Sequence, residues 1–185
     1  MSPTVPGEGS FRLFPPAALL IVALAALAMS ACRSRPPSDE DFYARMLTFD
    51  SATVRMATGH DTVALTLELA RTPEEQRLGL MERQQLGERS GMLFIYPRTQ
   101  PADAGFWMYR TRIPLDIAFL DSTGVVRAIR AMEPCPESDA DRCPDYPPGV
   151  SYRYALEMNA GFFEQRSIGV ATGRLMVEDL PGGGQ

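Results

Sequence analysis

From Thr48 onward the chain consists of short apolar runs separated by glycine and proline, and this pattern restricts the fold more than any other feature. The runs are rich in β-branched and aromatic residues and are too short for typical helices, so each predicts a β-strand. In TVALTLELA, which begins at Thr62, Val63, Leu65 and Leu67 share one face, which is the period of a half-buried strand. Many short strands predict a sandwich or barrel.

Turn and capping signals divide these strands. Asp121 to Gly124 predicts a hairpin turn. Thr72 and Glu75 form a capping box around Pro73, which predicts a short helix that ends near Gly87. The remaining elements are strands at 53–58, TVALTLELA, GMLFIY from Gly91, GFWMYR from Gly105, LDIAFLD from Leu115, GVVRAIRAM from Gly124, YRYALEMNAG from Tyr152 and IGVATGRLMVEDL from Ile168, and a helical turn in AGFFEQRS from Ala160.

We therefore predict a mainly β protein with a single compact antiparallel sandwich or barrel-like domain at residues 48–180, one or two short helices, and a flexible tail at 181–185. The 185 residues are 45% hydrophobic and 22% charged, which is ordinary for a globular protein. The net charge is −5, and the 18 basic residues are all arginines scattered along the chain. Nucleic acid is excluded as the main partner, because phosphate binding requires concentrated positive charge.

The N-terminal segment has the features of an export signal. A polar start leads into an apolar run from Phe14 to Ala31, which is short and alanine-rich for a membrane span and ends in small residues. We predict a signal peptide at residues 1–31. The sequence from Met29 to Cys32 resembles the bacterial lipobox, in which the cysteine receives a diacylglycerol before cleavage. The alternative is ordinary cleavage after Ala28 and release of a soluble protein.

A polar, proline-containing stretch follows the predicted lipidation site at Cys32. Residues 32–47 have no core pattern and are predicted to be a tether. Arg33, the residue after the cysteine, favours the outer membrane over retention at the inner membrane. The sequence thus predicts an exported protein that is lipid-anchored to the cell envelope, at the outer membrane and facing the periplasm.

The cysteine count agrees with export. If Cys32 carries lipid, Cys135 and Cys143 remain as a pair in an oxidising compartment, and a disulfide is predicted between them. A metal site is disfavoured, because this pair lacks metal-ligand spacing and His60, the only histidine, lies far away in the sequence. We predict neither a metal nor a cofactor.

Four stretches carry a family resemblance: RLGLMER, GMLFIYP, FWMYRTRIPLDIAFLD and RYALEMNAGF. Together they resemble the domain of unknown function 192 family, over residues 62–177. The central family motif usually carries Asn where this chain has Arg110. The pair Cys135 and Cys143, with Tyr146, also resembles the family pattern. The resemblance implies a compact, mainly β fold and specifies no reaction.

Asp116 lies between Leu115 and Ile117 in an apolar run, where an ionised carboxylate is costly unless it is paired or hydrogen-bonded. The structural interpretation is a buried ion pair, or a cap on backbone amides just after Pro114. The functional interpretation is a general acid or base in a pocket, with a raised pKa. The candidate cationic partners are Arg77, Arg83, Arg110 and Arg112.

Aromatic residues around the same motif, Phe94, Phe106, Trp107 and Tyr109, are predicted either to fill the core or to line a groove for a sugar or planar ligand. The candidate ligand-binding residues are Arg83, Trp107, Arg110, Thr111, Arg112, Asp116 and Asn159. We expect a non-catalytic ligand-binding or assembly module, whose partners are the membrane and a small molecule or an envelope component. The alternative is a small envelope enzyme that acts on a sugar or peptide with Asp116 as acid or base, since nucleophilic catalysis has few residues to draw on.

Overall fold

A computed structural model describes residues 48–182 with the exception of residues 137–138. The predicted signal peptide and tether, with Cys32, lie outside the described residues, as do residues 183–185 of the tail. The elements of the described part are β1 (Asp50–Ala57), β2 (Thr62–Ala70), α1 (Pro73–Leu78), β3 (Ser90–Gln100), β4 (Phe106–Trp107), β5 (Leu115–Leu120), β6 (Val126–Met132), β7 (Asp145–Tyr146), β8 (Tyr152–Asn159), α2 (Phe162–Gln165) and β9 (Arg174–Leu175), with 3₁₀ turns at Ala140–Arg142 and Val177–Asp179.

Seven strands form one sheet in the order β6-β5-β8-β3-β2-β1-β9, and β4 pairs with β7 in a separate ribbon. The predicted mainly β class with short helices is confirmed. One pair departs from the antiparallel pattern: β2 and β3 run parallel, with Thr66 opposite Ser90. The connection that contains α1 returns the chain to the end of the sheet where β2 began, which is the geometry that a parallel pair requires.

The large sheet buries both of its faces. One core contains Leu156 and Met158 of β8 together with Phe162 and Phe163 of α2. The other core contains the β8 residues that alternate with these and point to the opposite face, such as Ala155. The chain around Phe106 and Met108 covers this second core. Every residue of β5 is buried, because this strand lies between β6 and β8 and has a core on each side.

Helix α1 confirms the predicted capping box and the proline in the first turn. The Thr72 hydroxyl accepts from the Glu75 N–H at 3.2 Å, and the Glu75 carboxylate accepts from the Thr72 N–H at 2.9 Å. The prediction that the helix continues to near Gly87 is wrong. The helix ends at Leu78, because Gly79 takes a φ of +50° that stops the helical turn. Within the described part of the chain, neither helix is long and apolar enough to cross a membrane.

Two predicted strands are much shorter than expected. The run from Gly105 forms a regular strand only at Phe106–Trp107, since a turn follows in which the Thr111 N–H donates to the Met108 carbonyl. The run from Ile168 pairs only at Arg174–Leu175, because a turn with Ala171 at φ +65° occupies its first half. In both cases the backbone turns where the side-chain pattern alone indicates extension.

The predicted disulfide between Cys135 and Cys143 is present, with the two Cα atoms 5.8 Å apart. Closing a loop of this size stabilises the fold by about 2–3 kcal/mol. The backbone of Cys135 also pairs with the segment after β4: the Arg110 N–H donates to the Cys135 carbonyl at 2.8 Å, and the Cys135 N–H donates to the Thr111 carbonyl at 3.2 Å. The disulfide loop therefore braces the segment that follows Trp107.

Candidate functional site

A cleft opens between the end of α1 and the segment that follows β4. Its enclosed part measures about 20 Å³. An enclosed space of this size holds one or two water molecules, so a larger ligand would lie mainly at the open mouth of the cleft. Its lining residues are Gln76, Arg77, Leu78, Gly79, Leu80, Met81, Phe94, Phe106, Trp107, Tyr109, Thr111 and Glu157.

The cleft has an aromatic wall. Trp107 is 44% exposed, although it follows the buried Phe106. Its ring lies 5.6 Å from that of Tyr109, at an interplanar angle of 40°. Phe94 and Phe106 meet edge to face at 4.9 Å and form the buried part of the lining. The four aromatic residues singled out in the sequence thus line a groove, two as its base and two as its wall.

Glu157 is a buried carboxyl group at the cleft. It is 4% exposed, and its cross-strand neighbours are the fully buried Met92 on β3 and Ile117 on β5. No group in the described part of the chain forms a hydrogen bond or ion pair with it. Burial raises the pKa of Glu157 to about 8, because the apolar surroundings disfavour the ionised form. At neutral pH the group is therefore mainly a neutral carboxylic acid, which both donates and accepts hydrogen bonds.

Two further polar side chains line the cleft. Thr111 is 5% exposed and adds a hydroxyl group to the lining. Arg77 lies on α1 and is exposed to solvent, and no carboxylate in the described residues pairs with it. The cleft thus combines neutral hydrogen-bonding groups with a solvent-screened positive charge.

A charged clamp joins the two walls. Glu82 follows the α1 wall and accepts from Arg110 Nε at 2.7 Å and from Arg112 Nε at 2.6 Å. Partial burial of Glu82 opposes its ionisation, but the hydrogen bonds from Arg112 and Arg110 lower its pKa overall. Both of these predicted ligand-binding arginines are therefore engaged by a protein carboxylate.

The clamp also holds strained backbone. Glu82 and Arg110 have φ values of +60° and +55°, a left-handed conformation that costs a non-glycine residue about 1 kcal/mol or more. The Glu82 N–H donates to the Arg110 carbonyl at 2.9 Å, so the two strained residues stabilise each other directly. Asn adopts this conformation more readily than most residues, which gives a backbone reason for the Asn that the domain of unknown function 192 pattern carries at this position.

Asp116 lies on the opposite face of the sheet from the cleft. It alternates with Ile117, and its side chain Oδ2 accepts from the Gly161 N–H at 2.8 Å, at the start of α2. Burial raises the pKa of Asp116, an effect that the Gly161 hydrogen bond opposes and the Glu164 charge reinforces. The prediction of a backbone cap describes this contact, whereas the four candidate arginines do not pair with Asp116 in the described structure.

The remaining predicted residues contact the protein itself. Arg83 donates to Glu68 Oε2 at 2.5 Å, and its buried Nε has no hydrogen-bond partner. Asn159 Nδ2 donates to the carbonyl of Gly87 at 3.0 Å and holds the loop before β3. Of the seven candidate ligand-binding residues, the structure brings Trp107 and Thr111 into the cleft lining and places Arg110 and Arg112 in its clamp.

Glu157 was not among the predicted binding residues, although a signal for it exists. It lies between Leu156 and Met158, just as Asp116 lies between Leu115 and Ile117. Both are single carboxylates in apolar strands. The two carboxyl groups differ in their contacts. Asp116 accepts a hydrogen bond from the Gly161 N–H at the start of α2, whereas Glu157 lines the cleft.

The fold and cleft define a small, mainly β domain with an aromatic-walled pocket that contains a buried carboxyl group. The profile of the DUF192 family, described as "Uncharacterized ACR", matches residues 54–174, so the chain belongs to this family. The resemblance predicted from the sequence is confirmed. No curated protein matches the chain.

The solved structures that are similar to this chain include the following two. A "putative transcription regulator" from Sinorhizobium meliloti is 34% identical, with a TM-score of 0.60, and the match covers 70% of this chain and 95% of that one. A protein of unknown function from Novosphingobium aromaticivorans is 30% identical, with a TM-score of 0.56, and the match covers 68% and 84%.

Proposed function

We propose that this protein is an exported, lipid-anchored binding protein of the cell envelope that holds a small ligand in the cleft beside Trp107. The observation that carries the proposal is Glu157, a carboxyl group that is 4% exposed and lines the cleft without a hydrogen-bond partner in the described chain. Its oxygens are not fully enclosed, so they open onto the cleft. A ligand in the cleft would form hydrogen bonds with this carboxyl group in place of water.

Binding is favoured over catalysis by the composition of the lining. A hydrolase of the two-carboxylate type requires a second acid beside the first, and Glu157 is the only carboxylate among the described lining residues. Asp116, the acid of the enzyme alternative, faces the other core and reaches α2 instead. The cleft has groups that orient a ligand, and it lacks a second group that would activate water.

The cleft can be tested with small ring fragments and protein-observed NMR. We expect cyclic alcohols, lactams and phenols at millimolar concentration to shift the signals of Gly79, Thr111 and the Trp107 indole. Trp107→Ala should weaken this binding about five- to tenfold, because one aromatic contact is worth about 1 kcal/mol. The matched control is Val170→Ala, since Val170 is the other exposed large hydrophobic residue in the described part of the chain, at 53%, and does not line the cleft. Shifts that do not cluster at the cleft, or equal weakening by both variants, would contradict the proposal.

The envelope location rests on the N-terminal sequence and has its own test. Mass spectrometry of the mature protein from a Gram-negative host should show a diacylglyceryl group on Cys32, and labelled palmitate should be incorporated. Cys32→Ala is expected to abolish this labelling, whereas Ser34→Ala should retain it. A mature protein that begins after Ala28 without lipid would contradict the anchor.

A further inference from the structure

Given the proposed binding function, we infer that the ligand is an uncharged ring whose hydroxyl or amide groups exchange hydrogen bonds with the neutral carboxylic acid of Glu157. The inference concerns the charge of the ligand, which the binding proposal leaves open. It follows from the surroundings of Glu157 and from the remaining polar lining.

The surroundings of Glu157 select its neutral form. Met92 and Ile117 flank it across both neighbouring strands, and both are 0% exposed. An ionised carboxylate at such a position costs several kcal/mol unless a cation or several donors compensate it. The described chain provides neither. The burial that raises the pKa of Glu157 to about 8 agrees with this geometry.

A neutral carboxylic acid imposes a requirement on its partner. It presents one O–H donor and one carbonyl acceptor, so a hydroxyl or an amide, which can also do both, satisfies it fully. Thr111, whose hydroxyl lies in the same lining, has the same dual character. An ammonium group could only donate and a carboxylate could only accept, and each would leave one atom of Glu157 unsatisfied.

The cleft also disfavours charged ligands. A cation would meet the Arg77 guanidinium at the cleft, and the described lining gives it a carboxylate only if Glu157 ionises. An anion would be attracted by Arg77, but that side chain is exposed and its charge is screened by water. A ring without net charge avoids both costs and stacks on the face of Trp107.

Other titratable groups lie near Glu157. Tyr96 on β3 interacts with the Glu157 charge, and burial raises its pKa far above pH 9. Burial also raises the pKa of Tyr152 on β8, to about 12. The other charged or titratable groups that face this region are Arg77 on α1, Tyr109 after β4 and Glu68 on β2. Glu68 lies beside Met92, which in turn lies beside Glu157 in the same cross-strand row. Glu68 is paired with Arg83. The Glu157→Gln variant therefore identifies the source of any pH effect on binding between pH 6 and 9. An effect that disappears in this variant arises from Glu157.

Three rings that differ mainly in charge test the inference: methyl glucoside, glucosamine and glucuronic acid. We expect methyl glucoside to bind at least tenfold more tightly than the other two at pH 6, measured by NMR shifts at Thr111 and by fluorescence of Trp107, the only tryptophan. Its affinity should fall about tenfold between pH 6 and pH 9, as Glu157 loses its proton. In Glu157→Gln, which keeps a donor and an acceptor without titrating, the affinity should not change with pH.

Preference for glucosamine, or affinity that rises with pH, would overturn the inference and leave the binding proposal standing, because the cleft would then bind through an ionised Glu157. Preference for glucuronic acid would overturn it in the same way and would assign the contact to Arg77. If none of the three rings binds, the inference fails, and the fragment experiment with Trp107→Ala decides the binding proposal separately.

Discussion

Replacing Glu157 with glutamine is expected to raise the free energy of unfolding at pH 7 by about 3 kcal/mol. Burial raises the pKa of Glu157 from 4.5 to about 8, and each pKa unit corresponds to about 1.4 kcal/mol. At pH 7 the unfolded chain has this group ionised, while the folded chain keeps it protonated. Glutamine has nearly the same shape and no charge to gain on unfolding, so the variant does not incur this cost.

The pH dependence follows from the same shift. Between pH 4.5 and 8 the unfolded state binds fewer protons at Glu157 than the folded state does, so the contribution of this group to stability falls as pH rises through that window. Below pH 4.5 both states are protonated and the difference disappears. The free energies of unfolding of the wild type and of Glu157→Gln, measured with urea, should therefore be equal at pH 4 and differ at pH 7 and 8.

Glu133→Gln provides the control, because Glu133 is exposed and this substitution should have little effect on stability. A Glu157→Gln variant that is less stable than the wild type at pH 7, or equally shifted at pH 4 and pH 8, would show that the carboxylate has a protein partner. A group that destabilises its own fold is typical of functional sites, where stability is lost in exchange for binding or chemistry.

Features that depend on local sequence could be predicted. The capping box at Thr72 and Glu75 and the hairpin turn at Asp121–Gly124 are formed by residues close together in the chain, and both are present in the structure. Strand alternation also places Asp116 and Ile117 on opposite faces of β5, because side chains on a strand alternate between faces whatever the strand pairs with. Because neighbouring residues determine these features, they can be predicted without knowledge of distant contacts.

Features that depend on contacts between residues far apart in the chain could not be predicted from the sequence. The left-handed backbone at Arg110 is held by the carboxylate and amide of Glu82, 28 residues away. The different roles of Asp116 and Glu157 depend on which element covers each face of the sheet. Gly91 illustrates the same limit: the sequence correctly indicates a strand that starts there, one residue after β3 begins, but only the pairing places this glycine opposite Met158 of β8.

Gly91→Ala is expected to destabilise the protein by about 3 kcal/mol or more and to lower the melting temperature by about 10 °C. A Cβ atom at this position would lie 2.2 Å from the carbonyl oxygen of Glu157 and 2.4 Å from the sulfur of Met158. The sulfur can move, because it belongs to a flexible side chain. The carbonyl belongs to the backbone of β8, so relief requires β3 and β8 to separate at the centre of the sheet. Thermal unfolding followed by circular dichroism measures the effect.

Gly59→Ala is the matched control, because no atom lies within 4 Å of a Cβ built there and the substitution should be nearly neutral. Gly91→Ala also tests how the cleft is built, since the displaced backbone carries Glu157. If the variant remains folded at 10 °C, its Trp107 and Thr111 NMR signals should shift, whereas those of Gly59→Ala should not. A Gly91→Ala protein as stable as Gly59→Ala would mean that the two central strands pair less closely than the structure shows.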